Sequence, residues 1–223
     1  MPLMKLSNSN GVIGMDVIFA TGNKDKMFEI REILAGMDFI TNVKSMKEAG
    51  IDIDIIEDGT TFEENAMIKA VAVYEAATAA GMSNVLVLAD DSGLSVEALN
   101  GEPGIYSARY MGKDTSYDIK NQNLIDRVNK EGNGNRRAQF VCAIAGVFPD
   151  GTREVVRGVI DGEIATEPHG SNGFGFDPIF YVPSIGCTTA ELAPSDKHAI
   201  SHRGNALRMM REVIIRHENL DCQ

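Results

Sequence analysis

The sequence predicts an α/β fold, a mixed central β-sheet flanked by helices, and three observations carry that prediction. Short apolar runs at 17–20 and 85–89 alternate with stretches of helical spacing. The second run is unbroken, as suits a parallel strand buried on both faces. Two longer strand-like runs, 138–148 and 154–160, are separated by Pro149-Asp150-Gly151, a turn that makes them antiparallel neighbours, so the sheet is mixed.

Residues 1–14 are polar, rich in Ser, Asn and Gly, and without periodicity, which predicts a mobile extension ahead of a fold that starts near Asp16. Val17-Ile18-Phe19-Ala20 reads as a strand and Thr21-Gly22-Asn23 as a tight turn. Met27, Ile30, Ile33 and Leu34 recur at helical spacing, which predicts a helix over Lys24–Leu34. Thr61-Phe62-Glu63-Glu64 has the pattern of a capping box and opens a second helix through an alanine-rich stretch that stops at Gly81. The strand from Val85 to Ala89 is expected to end abruptly at Asp90-Asp91-Ser92-Gly93, and ligand sites of open α/β sheets lie just beyond such ends. After the 138–160 hairpin comes a glycine-rich loop from Gly170 to Asp177, then helical segments around 195–200 and 205–217. With 223 residues and neither an internal repeat nor a low-complexity linker, one domain, in two lobes at most, is the simplest organisation.

Composition narrows the function. Thirty-two acidic against 21 basic residues give a net charge of -11, a surface that repels a nucleic-acid backbone. No apolar run approaches the roughly 20 residues of a membrane span, and the N-terminus lacks a secretory pattern, so a cytoplasmic protein is expected. Cys142, Cys187 and Cys222 are odd in number and widely spaced, which predicts neither a disulfide framework nor a zinc site. An acidic protein still binds a free nucleotide if a few lysines converge and a divalent cation neutralises the remaining phosphate charge.

The candidate site residues fall in five segments. Ala20-Thr21-Gly22-Asn23-Lys24-Asp25-Lys26 puts a glycine turn before a helix, whose unpaired N–H groups suit phosphate; a capped turn with solvated lysines is the alternative. Glu57 lies on a loop beside the start of the second helix, as a surface cap or a site carboxylate. Asp90 and Asp91, adjacent at the end of a buried strand, must be solvated, capped or bound to a cation, and magnesium favours one or two carboxylates plus phosphate oxygens. Ser171-Asn172-Gly173-Phe174-Gly175-Phe176-Asp177-Pro178 combines close backbone approach with aromatic faces for stacking a base, or is a packed turn. Lys197, His202 and Arg203 offer donors to phosphate and to a purine carbonyl. His198 and His202 stand one helical turn apart, but no HExxH pattern or third ligand supports zinc.

Taken in order, ATGNKDK at 20–26, EDGTTFEENA at 57–66, ADDSGLSVEALNGEPGIYSARY at 89–110, GFGFDPIF at 173–180 and SHRG at 201–204 resemble the Ham1 family, also called the inosine triphosphatase or XTP/dITP pyrophosphatase family. The resemblance runs from about Asp16 to Arg216. It implies two lobes with the active-site cleft between them, within one catalytic domain over 15–223. It also implies hydrolysis of ITP, dITP and XTP to the monophosphate and pyrophosphate, which clears deaminated purines from the nucleotide pool, with Mg2+ as cofactor and a homodimer as assembly. By the same resemblance, Thr21, Gly22, Asn23 and Lys26 look like the triphosphate-binding loop, Glu57 like a carboxylate near the metal, and Asp91 like the catalytic base and metal contact with Ser92 beside the substrate. Phe174, Gly175, Phe176 and Asp177 match the base-binding loop, and Lys197, His202 and Arg203 the last substrate-contacting segment.

Three rival readings make different predictions. Asp52-Ile53-Asp54-Ile55-Ile56 is close to the DxDx[TV] motif of aspartyl-phosphate phosphatases but carries Ile56 where Thr or Val is required, and no strongly apolar strand precedes it. A Maf-type pyrophosphatase would prefer other nucleotides. A catalytically silent nucleotide-binding module would bind ITP without turning it over.

Overall fold

The computed structural model describes residues 14–21 and 24–221; apart from Gly14, the expected extension lies outside them, as do Gly22 and Asn23 of the first turn. Seven strands form one sheet in the order β2-β1-β3-β4-β5-β6-β7. β1 (Met15–Phe19) leads through the turn into α1 (Lys24–Leu34), and β2 (Ile40–Ser45) returns parallel to β1. After α2 (Phe62–Ala79), β3 (Val85–Val96) runs parallel to β1 on one side and antiparallel to β4 (Arg137–Val147) on the other. α3 (Tyr117–Glu131) precedes β4, which turns at Pro149-Asp150-Gly151 into the antiparallel β5 (Arg153–Ile164). The short β6 (Phe180–Val182) and β7 (Cys187–Thr188) extend the sheet, and α4 (Pro194–Ile200) and α5 (His202–Asp221) close the chain.

One sequence expectation is corrected. β3 does not end at Ala89 but continues through Asp90, Asp91, Ser92 and Gly93 to Val96. β4 keeps the ladder going, with Asp90 opposite Ile144, Asp91 opposite Ala143 and Ser92 opposite Cys142. What ends is the parallel partner: β1 pairs with β3 only as far as Phe19 opposite Leu88. The rule of ligand sites at parallel strand ends therefore holds for β1, and the two acids lie just past that end on a strand that runs on.

Side chains alternate across β3 and build two layers. Leu86 and Leu88 pack with Cys142 and Ile144 against α1 and α5, through Met27, Ile30, Leu207 and Met210. Val85, Val87 and Ala89 pack on the other face against Ala66, Ala70, Val73 and Ala77 of α2. The small side chains of α2 let that helix lie close to the sheet. A third cluster, around Leu94, Phe140, Leu124, Phe176 and Phe180, joins the far halves of β3 and β4 to α3 and the loop before β6. It makes the second lobe.

α2 begins as the sequence predicts. The Thr61 hydroxyl accepts the Glu64 N–H at 3.1 Å, and the Glu64 carboxylate reaches back to the Thr60 N–H at 2.6 Å. The reciprocal bond of the capping box thus lands one residue earlier than usual. At the other end of the chain, α5 lies on β5 because Gly158 has no side chain: a Cβ there would overlap the His202 carbonyl oxygen and the Ala206 amide nitrogen. That close approach brings the start of α5, with His202 and Arg203, onto the sheet.

Candidate active site

Alternation along β3 sends Asp90 and Asp91 to opposite faces, each into its own set of charges. Asp90 shares the face of Leu86 and Leu88 and is 3% exposed. Lys26 Nζ donates to both of its oxygens, at 3.0 and 2.8 Å. The Ser92 hydroxyl donates at 3.2 Å, and Arg203 Nε stands 3.6 Å away. Burial alone pushes this carboxyl up, but the two cations outweigh it and hold it well below the usual carboxylate range. Asp90 is therefore ionised, and it gathers a lysine from α1 and an arginine from α5.

Asp91 faces α2. It accepts Asn65 Nδ2 at 3.2 Å and its own neighbour's N–H, from Ser92, at 3.0 Å. Lys69, one helical turn after Asn65, places its Nζ 3.7 Å from Asp91 and 2.7 Å from Glu57. The Asn65 side-chain oxygen accepts the Gly59 N–H at 2.9 Å, which ties the loop carrying Glu57 to the helix. Burial raises the Asp91 carboxyl above its ordinary 3.8, and the Glu57 charge adds to that, against the pull of Lys69 and Asn65. A carboxylate of raised basicity beside a second carboxylate and a lysine is suited to taking a proton.

A cavity of about 200 Å³ opens where the two lobes meet, against Lys26 and Ser92 at one end. Its wall is the loop before β6. Gly173 and Gly175 take φ values of 77° and 71°, where a side chain is strained, and turn the loop sharply around Phe174. Phe174 is 56% exposed at the mouth, whereas Phe176 is buried and meets the Tyr117 ring edge-on at 5.4 Å. The buried Asp177 carboxylate accepts the Phe174 N–H at 2.8 Å, the Thr189 hydroxyl at 2.8 Å and Lys197 Nζ at 2.5 Å. Asn121 of α3 donates to the Gly175 carbonyl at 3.2 Å. The loop is thus held from three sides in the conformation that presents its aromatic face.

His202 stacks on Phe140 with ring centroids 5.0 Å apart. Burial, with the charges of Arg203 and Lys197, lowers its pKa well below 6.5, so the imidazole is neutral at physiological pH and carries one donor and one acceptor. Lys197 Nζ lies 5.2 Å from the centre of the Phe174 ring. The cavity therefore joins a flat apolar face to positive charge and to donors of fixed direction.

Nine of the sequence-predicted site residues line this cavity: Lys26, Ser92, Phe174, Gly175, Phe176, Asp177, Lys197, His202 and Arg203. Asp91 and Glu57 come together through Lys69 on the α2 face and do not line it. Thr21 follows β1, its N–H turned back to the Phe19 carbonyl at 2.8 Å. Gly22 and Asn23 fall outside the described residues. Sequence reasoning missed Lys69, Asn65 and Tyr117, and gave Asp90 no role of its own. The spacing of Asn65 and Lys69 on a helix and the period of two along β3 were the signals that place them. Asp52 of the rival phosphatase motif is exposed in a loop.

Two further expectations meet the structure here. Among the described residues no three His, Cys, Asp or Glu side chains gather as a metal cluster, so a resident ion would rely on two carboxylates and on substrate oxygens. Glu57 and Asp91 fit a hard divalent ion of that habit: both are oxygen donors, and the pair already holds the positive charge of Lys69 between them. Among the described residues no helix is long and apolar enough to cross a membrane.

The Ham1 family model matches residues 17–213. A dITP/XTP pyrophosphatase of Clostridium perfringens is 44% identical over 195 residues, which cover 87% of this chain and 95% of that protein. One of an Exiguobacterium species is 45% identical over 201 residues, 90% and 97% of the two chains. Among solved structures, a HAM1 protein from Coxiella burnetii superposes with a TM-score of 0.80 at 41% identity, over 91% of this chain and 99% of that one. The Ham1 protein of Staphylococcus aureus gives 0.79 at 40% identity, over 91% and 99%.

Proposed function

The chain belongs to the Ham1 family, and from that premise we propose that it hydrolyses non-canonical purine nucleoside triphosphates, dITP, ITP and XTP, to the monophosphate and pyrophosphate. The observation that carries this reading is the single cavity in which an aromatic loop, a neutral histidine and an arginine face two lysines beside the acidic stretch of β3. Its relatives are named for the same reaction. Such an activity removes deaminated purines before a polymerase takes them up.

The base enters against Phe174, which is exposed at the mouth and backed by Asp177 and Lys197. Hypoxanthine and xanthine carry a 6-oxo acceptor where adenine carries an amino donor, so donors from His202 and Arg203 favour the former. Guanine is rejected if its 2-amino group is left buried without an acceptor, at a cost of about 1–3 kcal/mol. Lys26 and Lys197 meet the phosphates. Glu57 and Asp91 would hold Mg2+, which when bound neutralises phosphate charge and acidifies a coordinated water. Asp91 accepts a proton from the water that attacks the α-phosphorus; the new P–O bond forms as the bond to pyrophosphate breaks, and Lys69 and Asn65 keep the carboxylate aimed. Residues 15–223 act as one catalytic unit, and the assembly is a homodimer, which sedimentation velocity tests.

A panel of ITP, XTP, dITP, GTP and ATP with magnesium tests the reading. Pyrophosphate from the first three alone is the expected result. Orthophosphate release, or binding of ITP with no turnover, rejects it in favour of another phosphohydrolase or a silent binding module.

A further inference from the structure

Lys26 and Arg203 approach the substrate from different ends of the chain and serve different parts of it, yet both converge on one carboxylate. Resting on the reading of Lys26 as a phosphate contact and Arg203 as a base contact, we infer that Asp90 is a positioning residue that couples the two halves of the site, so that the phosphate side sets how well the base is read. The geometry is specific. Lys26 Nζ bridges both Asp90 oxygens, at 3.0 and 2.8 Å, while Arg203 Nε lies 3.6 Å from the second of them, longer than a hydrogen bond. The carboxylate sits in the sheet, where Ile144 opposes it on β4 and the Ser92 hydroxyl holds it from the same face. It cannot turn to solvent.

A buried carboxylate must be compensated, and here the nearer cation carries most of that task. Lys26 keeps two donors on Asp90 while the third meets a phosphate; where the lysine is removed, the uncompensated charge draws the Arg203 guanidinium in from 3.6 Å. That motion pulls its other donors away from the cavity. The arginine is itself buried at the start of α5, so a shift of this kind changes where its planar group points rather than being absorbed by solvent. Base recognition therefore depends on the same lysine that serves the phosphate side.

The signature is a substitution on the phosphate side that alters selection of the base. IMP and GMP differ only at the base and lack the β- and γ-phosphates, so their relative affinity reports on the base pocket. Calorimetric titration of both into wild type, Lys26→Met and Asp90→Asn gives that ratio for each. Lys26→Met is expected to lower the IMP-over-GMP preference by roughly twofold to 150-fold, the range of coupling between residues sharing a partner. Adding Lys26→Met to Asp90→Asn is expected to change the preference no further. Because Lys26→Met strands a buried charge, Lys26→Arg, which keeps a cation against Asp90, is titrated beside it and is expected to retain the wild-type preference; loss of the preference there overturns the coupling. An unchanged preference in Lys26→Met overturns the coupling, as does a wild type that binds both monophosphates alike. A wild type with the preference intact but no ITP turnover fails only the functional reading, which separates the two.

Discussion

Lys69 and Asp91 face one another from α2 and β3, the lysine Nζ 3.7 Å from a carboxylate oxygen, with Glu57 2.7 Å from the same nitrogen. In the proposed mechanism this triad is the reactive edge of the site. Asp91→Asn keeps the side chain's size and its approach to Asn65 but removes the base. Turnover of ITP is expected to fall by roughly 10²- to 10⁴-fold, while nucleotide affinity changes far less. Single-turnover rates beside equilibrium binding check this, and near-normal rates would remove Asp91 from its role.

His202 gives a pH dependence of defined sign. Its pKa in the folded protein lies well below 6.5, so on acidification the unfolded chain takes up the proton first. The stability it contributes is present above pH 6.5 and is lost as pH falls from there toward the folded value. Thermal melts at about pH 8 and about pH 5.5, either side of the ordinary histidine range, should show a smaller loss for His202→Gln than for wild type. An equal loss would mean that the buried imidazole is not the group responsible.

Gly158→Ala forces a methyl group into the backbone of α5 at His202 and Ala206. The helix must move off β5, at a cost of about 1–3 kcal/mol for overpacking, and the movement carries His202 and Arg203 with it. A lower denaturant midpoint together with a raised KM for ITP is expected. A stability loss with unchanged KM would show that the start of α5 relaxes independently.

Thr61→Ala removes the hydroxyl that accepts the Glu64 N–H. A loss of about 1 kcal/mol is expected for such a cap, read from urea unfolding. Because Asn65 lies in the same first helical turn and ties down the loop bearing Glu57, kcat should fall as well. A cap substitution that costs stability but leaves kcat unchanged would separate helix capping from loop placement.

The parts legible in sequence were those whose local chemistry agrees with the tertiary result. α1 spans Lys24–Leu34 as its apolar spacing predicts, and Thr61 caps α2. α3 was not foreseen, because Lys120 and Asn121 are buried among its apolar residues and Ser116 makes no side-chain cap bond. β2 escaped notice for a related reason: as an edge strand paired only with β1, it carries Thr41, Asn42 and Lys44 rather than an apolar run. β5 continues past Ile160 through Asp161, Gly162 and Glu163, polar residues kept in the ladder by Gln139 and Arg137 opposite. The site residues followed the same rule. Nine of the residues named from ordered motifs gather at the cavity, while Lys69 and Tyr117 depend on which way a helix turns after it meets the sheet.

The unbroken pairing of β3 with β4 from Val87 to Val96 has one more effect. Consecutive acids in an extended segment are assigned to opposite compartments by parity alone, so inserting a single amino acid between Leu88 and Asp90 would exchange their tenants, setting Asp91 among the cations of α1 and α5 and Asp90 against α2.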